Sequence, residues 1–236
     1  MSNIKAVLFD LDGTLLPMDQ DQFVAAYFGE LTKKFAPMGY DPKAFVAGIW
    51  QGTKAMVMNN GEKLNEDRFW EAFSSVVGES IVDRNEDFDE FYENKFCLVQ
   101  KSCGYNPEAL KLIQKVKGKG LRVILATNPI FPAAATYQRC AWAGLEPSMF
   151  EHITTYENSH FCKPNLEYYK EILDKCNLAP EECVMVGNDV GEDMIAEKLG
   201  MKGFLLTDCI INKADVDISV FEHGGFAELA EFIDKL

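Results

Sequence analysis

Two aspartates one residue apart, Asp10 and Asp12, stand directly after the apolar stretch Ala6-Val7-Leu8-Phe9, in the polar turn Asp10-Leu11-Asp12-Gly13-Thr14. A hydroxyl and an amide, Thr127 and Asn128, follow a second apolar run, Val123-Ile124-Leu125-Ala126. Lys163 precedes Pro164 in a later connection, and Gly187-Asn188-Asp189 follows the run Cys183 to Val186, with Asp193 one helical turn beyond. If these runs are strands of one parallel sheet, all of these groups face one crevice, since ligands gather at the carboxyl ends of such strands. Acids, a lysine, a hydroxyl and an amide in one crevice suit phosphoryl transfer, in which a cation and a lysine balance charge while a carboxylate attacks. Taken singly, the same residues have plainer roles: Asp10 and Asp12 as turn caps, Thr127 as a strand-end hydroxyl, Lys163 as a solvated loop lysine. The chemistry therefore requires Asp10, Lys163 and the Asn188–Asp189 turn to lie within side-chain reach around a shared cavity.

The elements that must position these groups alternate along the chain. Ile4 to Phe9 reads as a strand buried on both faces, the mark of a parallel sheet. Further strands are expected over Leu121 to Ala126, Phe150 to Thr154, Cys183 to Val186 and Met201 to Leu206. Helices are expected over Pro107 to Lys117, Pro132 to Ala143, Pro164 to Lys175, Glu192 to Leu199 and Phe226 to Leu236. Repeated strand–helix units predict an α/β fold with a doubly wound parallel sheet.

Between about Pro17 and Ser102 helical periodicity dominates. Phe23, Val24, Tyr27, Phe28 and Leu31 share one face, as do Phe45, Val46, Ile49 and Trp50, and helices are expected over Asn65 to Val77 and Glu86 to Val99. This predicts an inserted α-helical cap domain of about four helices, residues 16–104, on a core of residues 1–15 and 105–236, hinged near Leu16-Pro17 and Ser102-Cys103-Gly104. The acidic run Asp83 to Glu93 reads as a solvated helix face backed by Phe88, Phe91 and Tyr92, not as a metal site. Trp50, Gln51, Thr53 and Lys54 form a polar-aromatic loop candidate for substrate contact, although Trp50 fits cap core and Lys54 fits solvent more readily.

With these motifs quoted, the chain resembles the haloacid dehalogenase-like hydrolase superfamily. Its four motifs occur in order: Asp10 to Thr14, Thr127, Lys163-Pro164, and Gly187 to Asp193. The resemblance implies a Rossmann-like core, with the helical block as the cap inserted after the first motif. It implies that Asp10 is the nucleophile and a metal ligand, forming an aspartyl-phosphate. Asp12 is implied to be the general acid and then the base, its backbone carbonyl also on the metal. Two neighbouring carboxylates must then hold different protonation states. Thr127 is implied to bind the phosphoryl group, with Asn128 assisting, and Lys163 to neutralise charge on Asp10 and phosphate. Mg2+ is the implied ion, since hard oxygen ligands with retained waters suit it.

One position departs from the pattern of many relatives, which place an acid immediately after the glycine of the fourth motif. Here that residue is Asn188 and the acid follows at Asp189. Register favours Asn188 as the third metal ligand and charge favours Asp189, and the sequence leaves the two even. Asp193 is expected to orient Lys163 or a metal-bound water. Dehalogenase chemistry needs neither metal nor an acid at Asp12, so Asp12 favours phosphate. The activity implied is a magnesium-dependent phosphohydrolase acting on a small phosphorylated metabolite. The alternative is a phosphomutase of the β-phosphoglucomutase type. A catalytically silent binding protein on this scaffold would be marked by loss of Asp10, Asp12 or Lys163.

Composition narrows the partners. The 236 residues carry 23 Lys and Arg against 37 Asp and Glu, a net charge of −14. Such acidity disfavours nucleic acid and anionic membranes, while a bound divalent cation can still admit a small anion. No signal segment or membrane-length run is read in the sequence. The seven cysteines are odd in number and lack CxxC spacing, as expected of reduced thiols in a cytoplasmic protein. His152, His160 and His223 show no ligand spacing.

Overall fold

The computed structural model describes residues 3–236. Its sheet is built outward from Ala6–Phe9 (β1), which is buried along its whole length. Arg122–Leu125 (β2) and His152–Ile153 (β3) lie on one side; Cys183–Gly187 (β4), Lys202–Leu206 (β5) and His223–Gly224 (β6) lie on the other. The order is β3-β2-β1-β4-β5-β6, and every pairing is parallel.

Strict alternation along the central strands feeds two separate cores. Val7, Phe9, Leu125 and Val186 join a cluster with Leu112 and Ile113 of Glu108–Gly118 (α5). Ala6, Leu8, Ile124 and Met185 pack instead against Tyr168, Tyr169 and Ile172. With helices on both faces, β1 and β4 gain from being apolar at every position, which is why they read as continuous runs. Phe9 aligns with Leu125 on one side and Val186 on the other, so the chain leaves all three strands at the same edge. The chain winds outward from β1 through β2 to β3, then returns to the opposite side at β4. The topological switch point therefore lies between the carboxyl ends of β1 and β4.

The insertion carries four helices: Gln20–Phe35 (α1), Pro42–Val57 (α2), Asn65–Val77 (α3) and Asn85–Asn94 (α4). Asp19 and Asp41 each accept a backbone N–H of the first turn, fixing where α1 and α2 start. Phe35, Phe45, Phe73 and Phe88 interlock beneath them, with Phe35 4.8 Å from Phe45 and 4.4 Å from Phe88 between ring centroids. Each such ring removed from water contributes on the order of 2–3 kcal/mol. Gly52 lets α2 and α3 approach closely, because a Cβ there would meet the Phe69 ring at 2.5 Å. The two connections to the sheet run side by side: Met18 bridges Cys103, and Gly104 N–H donates to the Pro17 carbonyl at 2.7 Å.

Several elements differ from the sequence expectation. The strand expected over Phe150 to Thr154 shortens to two residues, and β6 has no apolar run to announce it. In place of the α-helix expected over Glu192 to Leu199, a 3-10 helix covers Met194–Leu199, because the chain around Asp189 and Asp193 is tied back on itself. The helix after Lys163-Pro164 begins at Leu166 (α7, Leu166–Cys176), where the Asn165 side chain accepts the Glu167 N–H. The helix expected over Glu86 to Val99 breaks at Lys95 into α4 and a 3-10 segment. The remaining helices are Ala133–Trp142 (α6) and Phe226–Asp234 (α8). Among the described residues no helix is long and apolar enough to cross a membrane.

Candidate active site

Asp10 leaves β1 at the switch point, its backbone N–H donating to the Val186 carbonyl at 2.9 Å. Lys163 reaches the same point from the connection between β3 and α7, only 1 % exposed. Its ammonium donates to Asp10 Oδ1 at 2.9 Å and to Asp193 Oδ1 at 2.6 Å. Burial opposes its charge, but Asp10 and Asp193 outweigh burial and hold the amine well above its ordinary value, so it stays a cation. Burial likewise pushes the Asp193 carboxyl up, partly offset by Lys163. The second oxygen of Asp193 accepts the Asp189 N–H at 3.0 Å, which locks the turn after β4.

Thr14 ties the other oxygen of Asp10 to that turn. Its hydroxyl lies 3.0 Å from Asp10 Oδ2 and 2.9 Å from Asn188 Oδ1. A hydroxyl has one proton, so two acceptor oxygens compete for it and one is left without a donor. Asn188 itself is held by its amide donating to the Cys209 carbonyl at 2.7 Å. Gly13 permits this approach: it has φ +86°, and a Cβ there would meet Asn188 Nδ2 at 2.3 Å. Asp189 lines the crevice but spends Oδ1 on the backbone N–H groups of Gly191 and Glu192.

Thr127 and Asn128 follow β2 on the other flank. Thr127 is buried, and its carbonyl is fixed by the Thr154 and Tyr168 hydroxyls at 2.6 and 2.9 Å. The Asn128 amide donates to Glu192 Oε2 at 3.0 Å, while its own Oδ1 is buried without a partner. Asp10, Asp12, Thr127, Asn128, Asn188, Asp189 and Asp193 thus border one crevice of about 410 Å³ and Lys163 bonds into it, whereas Gln51, Thr53 and Lys54 do not border it.

Three further residues belong to it. Thr14 stood inside the first motif without a role, and Glu192 inside the fourth. Arg139 is the unexpected one: fully buried on α6, it donates to Asp12 Oδ2, to the Thr136 hydroxyl at 3.2 Å, and lies 4.4 Å from the Phe131 ring centroid. Its signal was a lone charge in a buried helical stripe with Ala135 and Trp142. Burial pushes the Asp12 carboxyl above its ordinary value, with Arg139 pulling it down and Asp10 adding to the rise. The Asp12 side chain is still 22 % exposed, which tempers the push. Asp12 Oδ1 is buried and has no hydrogen-bond partner.

The charges do not balance. Six carboxylates border the crevice (Asp10, Asp12, Asp21, Asp189, Glu192 and Asp193) against Lys163, Arg139 and Lys213. No three Asp, Glu, His or Cys side chains form a ready cage among the described residues. The free oxygens come instead from a carboxylate and a carboxamide. Excess negative charge with few, oxygen-only donors fits Mg2+, which binds through one or two carboxylates and keeps several waters.

Trp50, Gln51, Thr53 and Lys54 lie on α2, not on a loop. Trp50 is 51 % exposed and borders the crevice, so it is not cap core, and Lys54 is exposed. Phe88, Phe91 and Tyr92 are buried as the apolar stripe of the acidic run.

Comparison with known proteins bears on the fold and the family. The chain is 20 % identical to a glyceraldehyde 3-phosphate phosphatase of Methanothermobacter thermautotrophicus, over 93 % of this chain and 96 % of that protein. The 2-haloacid dehalogenase of Pseudomonas syringae superposes with a TM-score of 0.65 at 18 % identity, covering 98 % of this chain and 99 % of the other. The HAD-hydrolase YfnB of Bacillus subtilis, solved bound to magnesium, superposes at 0.56 with 16 % identity, covering 98 % and 99 %. At these identities the solved structures speak for the fold alone. The family model for haloacid dehalogenase-like hydrolases matches residues 4–198, and the chain belongs to that family.

Proposed function

We propose that the protein is a magnesium-dependent phosphohydrolase that cleaves a small phosphate monoester through an aspartyl-phosphate on Asp10. The observation that carries this is Lys163 bonded at once to Asp10 and Asp193 beside the Asn188 turn, at the switch point of the sheet. Mg2+, held by Asp10, the Asp12 backbone carbonyl and Asn188, would offset charge on the phosphoryl oxygens. Asn188 is preferred to Asp189 because its Oδ1 shares the Thr14 hydroxyl with Asp10, whereas Asp189 caps the turn.

Asp10, its Oδ1 bonded to Lys163, attacks phosphorus. A bond forms from its carboxylate oxygen as the ester oxygen leaves, and Asp12 Oδ1 gives that oxygen a proton. Arg139 grips Oδ2 and leaves Oδ1 free for the transfer. Asp12, now ionised, takes a proton from water, whose oxygen displaces Asp10 and releases phosphate. Thr127 donates its hydroxyl to the phosphoryl group, with Asn128 beside it, and Asp193 positions Lys163. The helical insertion acts as a cap hinged at the paired Pro17 and Gly104 connections, closing the crevice to bulk water. The relatives named for glyceraldehyde 3-phosphate support a small phosphorylated metabolite as substrate. The free thiols fit the reducing cytoplasm.

The test is phosphate release from a panel of esters that includes glyceraldehyde 3-phosphate and p-nitrophenyl phosphate. Turnover is expected with Mg2+, and should vanish with chelator and in Asp10→Asn and Asp12→Ala. Full activity of Asp12→Ala, or no turnover of any ester, refutes the proposal.

A further inference from the structure

A second cavity, of about 350 Å³, adjoins the crevice between the helical insertion and the sheet. The two share Val24, Trp50, Ile130 and Phe131 in their linings, so the chamber lies directly beside the crevice that holds Asp10. Its lining has an unusual make-up. Nine of the nineteen lining residues are aromatic, Tyr27, Phe69, Trp70 and Tyr156 among them. Three are acids, Glu66, Asp89 and Glu157, and no Lys, Arg or His joins them.

The acids are unequally satisfied. Glu157 accepts the Ala133 N–H through both oxygens, at 2.8 and 3.1 Å, and so caps α6. The Glu66 backbone N–H donates to the Tyr156 carbonyl at 3.0 Å, while its carboxylate has no cation or donor among the described residues. Burial, then the neighbouring Glu157, then Asp67, push the Glu66 carboxyl above its ordinary value, as expected where negative charge is gathered without an answering cation. An apolar leaving group would fill the walls but leave Glu66 facing it. A metal ion would find too few oxygens on aromatic walls. An organic ammonium satisfies both: ring faces attract it through their quadrupoles, and the carboxylates neutralise it.

We propose, building on the phosphohydrolase reading, that the substrate is the phosphate ester of an amino alcohol, its ammonium group seated in the aromatic chamber against Glu66. The chamber then sets specificity, while the crevice supplies the chemistry.

The test compares phosphocholine with 3,3-dimethylbutyl phosphate, the neutral isostere in which carbon replaces the charged nitrogen, using p-nitrophenyl phosphate as the reference ester. With Mg2+ present, kcat/KM is expected to favour phosphocholine by about tenfold or more, and Glu66→Gln should shrink that ratio toward one. Equal or better turnover of the neutral ester overturns the proposal while the phosphohydrolase reading stands. Failure of the reference ester and of every other ester defeats the phosphohydrolase reading instead. A binding measurement then judges the chamber alone: choline should quench tryptophan fluorescence saturably, 3,3-dimethylbutanol should not, and Glu66→Gln should weaken the effect. Equal quenching by both alcohols, or by neither, overturns the ammonium site whatever the catalytic result.

Discussion

The crevice and the chamber beside it are both acidic, yet they hold their acids in opposite ways. In the crevice Asp10 and Asp193 share Lys163, Asp12 is gripped by Arg139, and Asp189 is turned onto backbone N–H groups. In the chamber Glu66 stands among aromatic rings, its carboxylate with no donor among the described residues. The first arrangement fixes Asp10, Asp12, Asp189 and Asp193 in place before any ligand arrives, as reaction geometry demands. The second leaves its charge for a ligand to answer. On the readings proposed above, preorganisation belongs to the sheet edge and recognition to the chamber beside it.

Removing the central cation of the crevice should break that contrast most severely. Lys163→Met leaves Asp10 and Asp193 buried together without a countercharge, and should lower stability by about 3–5 kcal/mol in chemical denaturation as well as abolish turnover. An unchanged denaturation midpoint would mean that the two acids do not depend on it. Arg139→Met should cost about 3 kcal/mol, because Asp12 is left half-buried and alone. Adding Asp12→Asn should recover much of that loss, whereas strictly additive costs would deny the pair. On the chamber side, Gly52→Ala drives a methyl into Phe69 and should cost about 1–3 kcal/mol in a thermal melt. A neutral result would show that α2 and α3 can separate freely.

The smallest effect concerns a paired acid remote from both cavities. Burial alone would raise the Glu171 carboxyl, but hydrogen bonds from His160 and Lys175 overcome it and hold the group below its ordinary value. A depressed carboxyl contributes stability above its unfolded pKa and loses it as pH falls through the folded one. Glu171→Gln should therefore cost about 1 kcal/mol at pH 7, and the gap should close below about pH 4. A gap that persists in acid would assign the loss to packing.

How much was legible in the sequence follows from how far each feature rests on local pattern. β1 and β4 were readable because strands covered on both faces are apolar throughout. β3 and β6 were cut short or missed because two residues carry no period. The turn that follows β4 defeated the helix expectation, since Asp189 and Asp193 spend their side chains on nearby backbone N–H groups. Asp10 and Lys163 could be paired from motif order, although 153 positions separate them. Arg139 could not, because its partner lies across the crevice and nothing beside it in the chain is acidic. Trp50 was misjudged for a similar reason: its face of α2 is apolar and its ring meets Phe28 of α1, but the rest of the side chain opens onto the cavities and solvent.

The placement of β1 has a consequence during synthesis. It is the first strand of this sheet to be synthesised, yet its two neighbours are Arg122–Leu125 and Cys183–Gly187. At cellular elongation rates the nascent chain carries Ala6–Phe9 uncovered for on the order of ten seconds before its second flank emerges. Throughout that interval a fully apolar segment needs temporary shelter, from the early helices or from a chaperone.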